Sequence, residues 1–101
     1  MPQLIAPRAP SGPFGNVPEP MEGYWWETDF VVIPWINSNG HAHEFLRWLH
    51  GLEAKAKPVL FPTVINTRLA RLLEKRGYHE CLFWVGEPFN AYADGLVRFP
   101  A

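Results

Sequence analysis

The sequence predicts an α/β domain, a mixed sheet with helices packed on it in the order β-α-β-α-β-β, behind a proline-rich N-terminal arm. Three observations predict it. Aromatic and β-branched runs alternate with two stretches of helical periodicity, which is the pattern of a sheet with helices on it. Proline or glycine punctuates the passages between them. Residues 1–23 hold six of the eleven prolines and three of the eight glycines, which excludes regular helix there. The chain therefore divides into an extended arm or loop, 1–23, and a domain, 24–101.

Each element follows from its residues. From Tyr24 to Ile36 the chain is aromatic and β-branched, most of all between Thr28 and Ile33, so it predicts a strand that stops near Asn37. Between His41 and Ala56 the apolar residues Ala42, Phe45, Leu46, Leu49, Leu52 and Ala56 fall at helical spacing, with Arg47, His50, Glu53 and Lys55 mostly opposite. This is an amphipathic helix, and Pro58 blocks its continuation. Val59 to Val64 predicts a second strand, which Pro62 demotes to an edge or bulged one. A second helix carries Ile65, Leu69, Leu72 and Leu73 as its apolar stripe and ends at Gly77, where a left-handed cap is wanted. Glu80 to Gly86 is a third strand, Glu87 to Gly95 a loop, and Leu96 to Phe99 a short last strand.

Composition narrows the function. Nine Lys and Arg against ten Asp and Glu give a net charge of -1, which argues against a general nucleic-acid surface and against a polybasic membrane patch. The single cysteine, Cys81, excludes a disulfide framework, and no charged segment followed by a long apolar run opens the chain. A cytoplasmic location is the expectation. Five tryptophans either fill the core or build an aromatic interaction surface, and periodicity does not separate the two.

The stretch from Pro34 to His43, PWINSNGHAH, passes from strand to helix through Asn, Ser, Asn and Gly. Such a turn leaves several backbone N–H groups unpaired at the helix start, where the macrodipole adds about half a positive charge. Gly40 lets a ligand approach the backbone, and Ala42 keeps the first turn small. By itself the turn is a weak signal and is more simply explained by backbone conformation, since Asn and Gly serve many strand-to-helix turns that hold nothing.

The stretch resembles the pyrophosphate-binding loop of the GNAT superfamily of acyl-CoA-dependent N-acyltransferases. That loop follows a strand ending in Val-x-Pro and runs Gln or Arg, two residues, Gly, one residue, then Gly or Ala. Val32, Pro34, Gly40 and Ala42 fall in register, and Asn37 stands at the Gln/Arg position. A second signature, an Asn opening the next helix and Gly-Phe closing it, is matched by Asn66, Gly77 and Tyr78. The resemblance runs from Asp29 to Phe99 and implies a minimal, truncated member with a GNAT-like core.

The resemblance further implies acetyl-CoA or another acyl-CoA as co-substrate and an amine of a small molecule or protein as acceptor. Backbone groups around Ile33 and Trp35 would take the pantetheine arm. The amides of Ser38, Asn39, Gly40, His41 and Ala42 would hold the pyrophosphate beside Asn37, and Asn66 would reach the CoA from the second helix. The family's usual proton donor and strand carboxylate fall here at Leu73 and Val31, both apolar. Glu27 and Asp29, on one strand face by the two-residue period, are the substitutes that would act through water. Arg68, Arg71 and Arg76 either steer the 3′-phosphate of CoA or form a solvated face. The acceptor side is cut down, since the arm stands where the family carries a further strand and helices.

Other constellations carry less. His41 and His43 diverge by about 200° on a helix and share no metal with His50, His79 or Cys81, so no metal is expected. Cys81 lies in an apolar strand as an inert buried thiol. A sheet this small leaves an edge that a homodimer would cover. The alternative to a transferase is a catalytically degenerate GNAT-like interaction protein, such as a small viral protein that binds and modulates a host enzyme, with Gly23 to Trp26 touching the partner.

Overall fold

A computed structural model describes residues 2–8, 14–62, 64 and 66–100. Seven strands form one mixed sheet: β1 (Gln3–Ile5), β2 (Gly15–Asn16), β3 (Glu22–Glu27), β4 (Val31–Asn37), β5 (Val59–Pro62), β6 (His79–Trp84) and β7 (Tyr92–Arg98). Two helices, α1 (Ala42–Glu53) and α2 (Thr67–Lys75), follow β4 and β5. The spatial order is β1-β6-β7-β5-β4-β3-β2. From β4 onward the elements come as β-α-β-α-β-β, the order expected from the sequence. No helix of the described residues is long and apolar enough to cross a membrane.

Four differences from the sequence reading have physical causes. The expected strand from Tyr24 to Ile36 is two antiparallel strands, β3 and β4, folded at Thr28 to Phe30. The Thr28 N–H donates to the Phe30 carbonyl, and Asp29 accepts from the distant Arg8 N–H, so the turn is fixed by long-range contact without glycine or proline. Stretch 1–23 supplies β1, parallel to β6, and β2, antiparallel to β3. β5 is central, with Val59, Leu60 and Phe61 buried, and Pro62 is tolerated as its last residue, beyond the point where β4 pairs with it. β7 begins at Tyr92, inside the expected loop, because Tyr92 to Gly95 pair with β6 despite their weak strand propensity. Ile65, read into the stripe of the second helix, lies outside the described residues.

Both helices pack on one face of the sheet. Phe45, Leu49 and Leu52 of α1 and Leu73 of α2 join Val31, Ile33, Val59, Phe61 and Leu96 in the main core. The opposite face has its own buried cluster of Ile5, Val32, Leu60, Cys81 and Val97, with Trp26, Phe30 and Phe83 packed against it. The helix ends are locked together by one carboxylate. Glu53, the last residue of α1, accepts from the Arg76 guanidinium just past α2 and from the Tyr78 hydroxyl at 3.0 Å, with Arg98 Nη1 of β7 at 3.6 Å. Gly77, with φ +93°, turns the chain out of α2, as its place in the sequence predicts.

Candidate functional site

The parallel ladder between β4 and β5 is two pairs long, Val31 with Val59 and Val32 with Leu60. β4 nevertheless runs on to Asn37, held along its other edge by β3. Where the strands part, a cleft of about 500 Å³ opens on the helix face. Its walls are the end of β4 and the following loop (Ile36, Asn37, Ser38, Gly40), the first turn of α1 (Ala42, Phe45) and the start of α2 (Asn66, Arg68, Leu69, Leu72).

The loop wall is built from backbone. Asn39 and Gly40 adopt left-handed conformations, φ +52° and +81°. The Asn39 N–H donates to Asn37 Oδ1 at 3.0 Å and the His41 N–H to the Ser38 carbonyl at 2.9 Å, while Asn39 Nδ2 ties the loop to the Pro20 carbonyl at 2.8 Å. Those bonds leave the N–H of Gly40 and those of Ala42, His43 and Glu44 with no acceptor among the described residues. Among the described residues no side chain caps α1, so its positive end faces outward at the cleft. A Cβ placed on Gly40 would meet none of the described residues within 4 Å, which leaves the approach to these amides open on their side.

The opposite wall differs. Asn66 caps α2, its Oδ1 accepting from the Arg68 and Leu69 N–H groups at 2.9 and 3.1 Å, so that helix start is satisfied internally. Arg68 brings a positive charge to this wall. Arg76 and Arg98 are engaged by Glu53, and Lys55 and Lys57 by Glu27, whereas Arg68 meets no carboxylate among the described residues. Between the loop amides and Arg68 the lining is apolar: Ile36, Phe45, Leu69 and Leu72. The cleft thus suits an elongated ligand with an apolar or amide-like middle and negative charge at both sides.

The structure brings Asn37, Ser38, Gly40, Ala42 and Asn66 together around the cleft. Ile33 and Trp35 lie on β4 past the end of the ladder, the Ile33 side chain in the main core and the Trp35 side chain exposed. Asn39 and His41 belong to the loop, with the His41 imidazole 3.8 Å from Glu44. Glu27 and Asp29 are placed elsewhere. They share no strand face, for Glu27 ends β3 and Asp29 sits in the turn, at the end of β4 remote from the cleft. Hydrogen bonds from Lys57 and Lys55 hold the Glu27 carboxyl below its usual range, and the Arg8 N–H does the same for Asp29, which makes both weak bases. Val31 and Leu73 are fully buried in the core.

Sequence reasoning assigned Phe45, Leu69 and Leu72 to the core, because helical periodicity marks a buried stripe without saying which part of it borders a cavity. A smaller cavity of about 300 Å³ lies between α2 and the β6–β7 pair, with Glu74, Glu80, Asp94 and Cys81 on its walls. Burial, and secondarily Asp94, push the Cys81 thiol up to about 11, so it stays protonated at neutral pH. Among the described residues, no group of three or more His, Cys, Asp or Glu is arranged to hold a metal ion. The chain matches no protein-family model, no curated protein and no solved structure.

Proposed function

We propose that the chain is a minimal GNAT-like domain that binds acetyl-CoA or another acyl-CoA and transfers the acyl group to an amine of a small molecule or protein. The observation that carries this reading is the cleft at the parting of β4 and β5, with uncapped helix amides on one wall and the unpaired Arg68 on the other. A pyrophosphate fits the amides of Gly40 and the first turn of α1, where dipole and donors coincide. A pantetheine arm is itself a chain of amides and methylenes, and the edge of β4 beyond Val32 offers backbone groups beside the apolar lining. Arg68 then suits a further phosphate.

Transfer needs an amine nitrogen with a free lone pair. The nitrogen attacks the thioester carbonyl, a C–N bond forms, the C–S bond breaks, and CoA leaves as thiolate while the nitrogen's proton passes to water. Because Glu27 and Asp29 are tied up away from the cleft, water is the proton acceptor this reading requires. The burial of Val31 and Leu73 favours a second reading in which CoA binds without turnover and the protein acts on a partner protein.

Acetyl-CoA at a hundredfold excess over its Kd would add about 2.7 kcal/mol of stability. For a domain of this size the melting midpoint then rises by about ten degrees or more. No dose-dependent shift at millimolar acetyl-CoA, in folded protein, refutes the cofactor assignment. A shift without thiol release in the presence of a generic amine favours the second reading.

A further inference from the structure

The charges of the two helices are sorted by side. The Glu53 carboxylate is buried among Arg76, Tyr78 and Arg98, and Glu74 is turned onto the wall of the smaller cavity beside β6 and β7. The cations face outward. Arg68, Arg71 and Lys75 stand at i, i+3 and i+7 on α2, which sets them on one side of that helix over about 10 Å of its axis. All three are exposed, as is Arg47 on α1, and none of the four is paired with a carboxylate among the described residues. The acid that shares the exposed helix layer is Glu44, beside His41. A chain of net charge -1 therefore concentrates positive charge on its helix layer.

The ridge begins at the cleft. Arg68 is both a cleft wall and the first member of the row, so the two surfaces are continuous. Inside, the walls offer amides for one phosphate and an apolar length beside the edge of β4. The ring on the cleft wall, Phe45, is 4% exposed and packs on Trp48, which leaves it no open face for an adenine. Phosphate and pantetheine are the part that CoA shares with a phosphopantetheine borne on a protein. Beyond that shared part, the ridge complements an acidic surface. A lipid bilayer is a poorer match, because among the described residues no large exposed apolar side chain belongs to either helix and the ridge has nothing to insert.

We infer that the acyl donor of the cleft is a phosphopantetheine thioester borne by an acidic carrier protein, which docks on Arg47, Arg68, Arg71 and Lys75. The inference rests on the acyl-donor reading of the cleft and adds the partner that delivers the donor.

The test is calorimetry of the whole chain with an acetylated acyl carrier protein, with the same carrier lacking its phosphopantetheine, and with acetyl-CoA. Engaging cleft and ridge together, the acetylated carrier is expected to bind about tenfold or more tightly than acetyl-CoA. The bare carrier should bind more weakly than the acetylated one, and added salt should weaken both. An Arg47→Gln, Arg71→Gln double variant, at exposed positions outside the cleft walls, should lose about threefold to tenfold in carrier affinity while binding acetyl-CoA within about twofold of wild type. Its circular dichroism spectrum should stay native. If acetyl-CoA binds and the acetylated carrier binds no tighter, or if the double variant holds the carrier as the wild type does, the inference is overturned and the cleft reading stands. Binding to phosphatidylserine vesicles that the double variant loses, with carrier binding unchanged, also overturns it and gives the ridge to a membrane. If neither acetyl-CoA nor the acetylated carrier binds, the cleft reading falls and the inference falls with it.

Discussion

Replacing Glu53 by alanine removes the one carboxylate that ties α1, α2 and β7 together. Its side chain is 4% exposed, against 28% for Arg76 and 35% for Arg98. The Tyr78 hydroxyl, which donates to it, belongs to a buried residue whose pKa is raised first by burial and then by Glu53 itself. Breaking a buried ion pair from one side typically costs about 3–5 kcal/mol. Both arginines keep roughly a third of their side chains in water and rehydrate after the loss, which puts the expected cost near the low end, about 3 kcal/mol. For a chain of this length that is a fall in the melting midpoint of about 12–24 °C. Glu53→Gln keeps an acceptor for Tyr78 and Arg76 while losing the charge, and should cost about half as much. Urea unfolding with a matched thermal scan reads both variants. A loss below about 1 kcal/mol for Glu53→Ala would refute the claim that this carboxylate locks the helix ends.

Three further outcomes follow from particular positions. Gly40→Glu puts a carboxylate at the open approach to the α1 amides, so it should abolish acetyl-CoA binding measured by calorimetry, while the circular dichroism spectrum keeps its native form. Gly23, with φ +150°, has no room for a side chain, since a Cβ there runs into the Trp35 carbonyl oxygen, whereas Gly51 on the exposed side of α1 has open space. Gly23→Ala should therefore lower stability in urea unfolding and Gly51→Ala should raise it by about 0.5–1 kcal/mol. The depressed carboxyl pKa values of Glu27 and Asp29 stabilise the fold above the unfolded-state range near pH 4, and that contribution is lost as pH falls through the lower folded values. Denaturant midpoints between pH 5 and 2 should fall for the wild type, and fall less for a Glu27→Gln, Asp29→Asn double variant.

The two helices were legible because each carries an apolar stripe against a charged face, and Gly77 marks the end of α2, whereas α1 stops at Glu53, short of the expected Ala56, which takes a left-handed φ of +59°. Strand pairing was less so. Thr28, Asp29 and Phe30 contain no turn residue strong enough to divide β3 from β4; Arg8, twenty-one residues away, supplies the contact that holds the bend. Ala93, Asp94 and Gly95 look like loop until β5 and β6 flank them, and then every one pairs with β6. β1 needs a parallel partner about eighty residues distant, which no local pattern announces.

The loop wall of the cleft was readable in Asn37 to Ala42, since conformation and chemistry there depend on neighbours in sequence. The far wall was not, because whether Leu69 and Leu72 border a cavity depends on how far β4 diverges from β5. The placing of Glu27 and Asp29 on one strand face failed for the same reason that β3 and β4 were merged. A two-residue period has meaning only within an unbroken strand. That both helices pack on one face was also invisible in advance, as the order of elements does not say which sheet residues they cover and which form the second cluster opposite.

The most direct measurement on the central claim is a backbone amide NMR titration with CoA. If the uncapped start of α1 holds the pyrophosphate, the N–H resonances of Gly40, Ala42, His43 and Glu44 move downfield together and saturate with a single Kd, and the Arg68 side chain shifts with the same curve. If CoA leaves those amides unmoved, or shifts only residues away from the parting of β4 and β5, the cleft is not an acyl-CoA site.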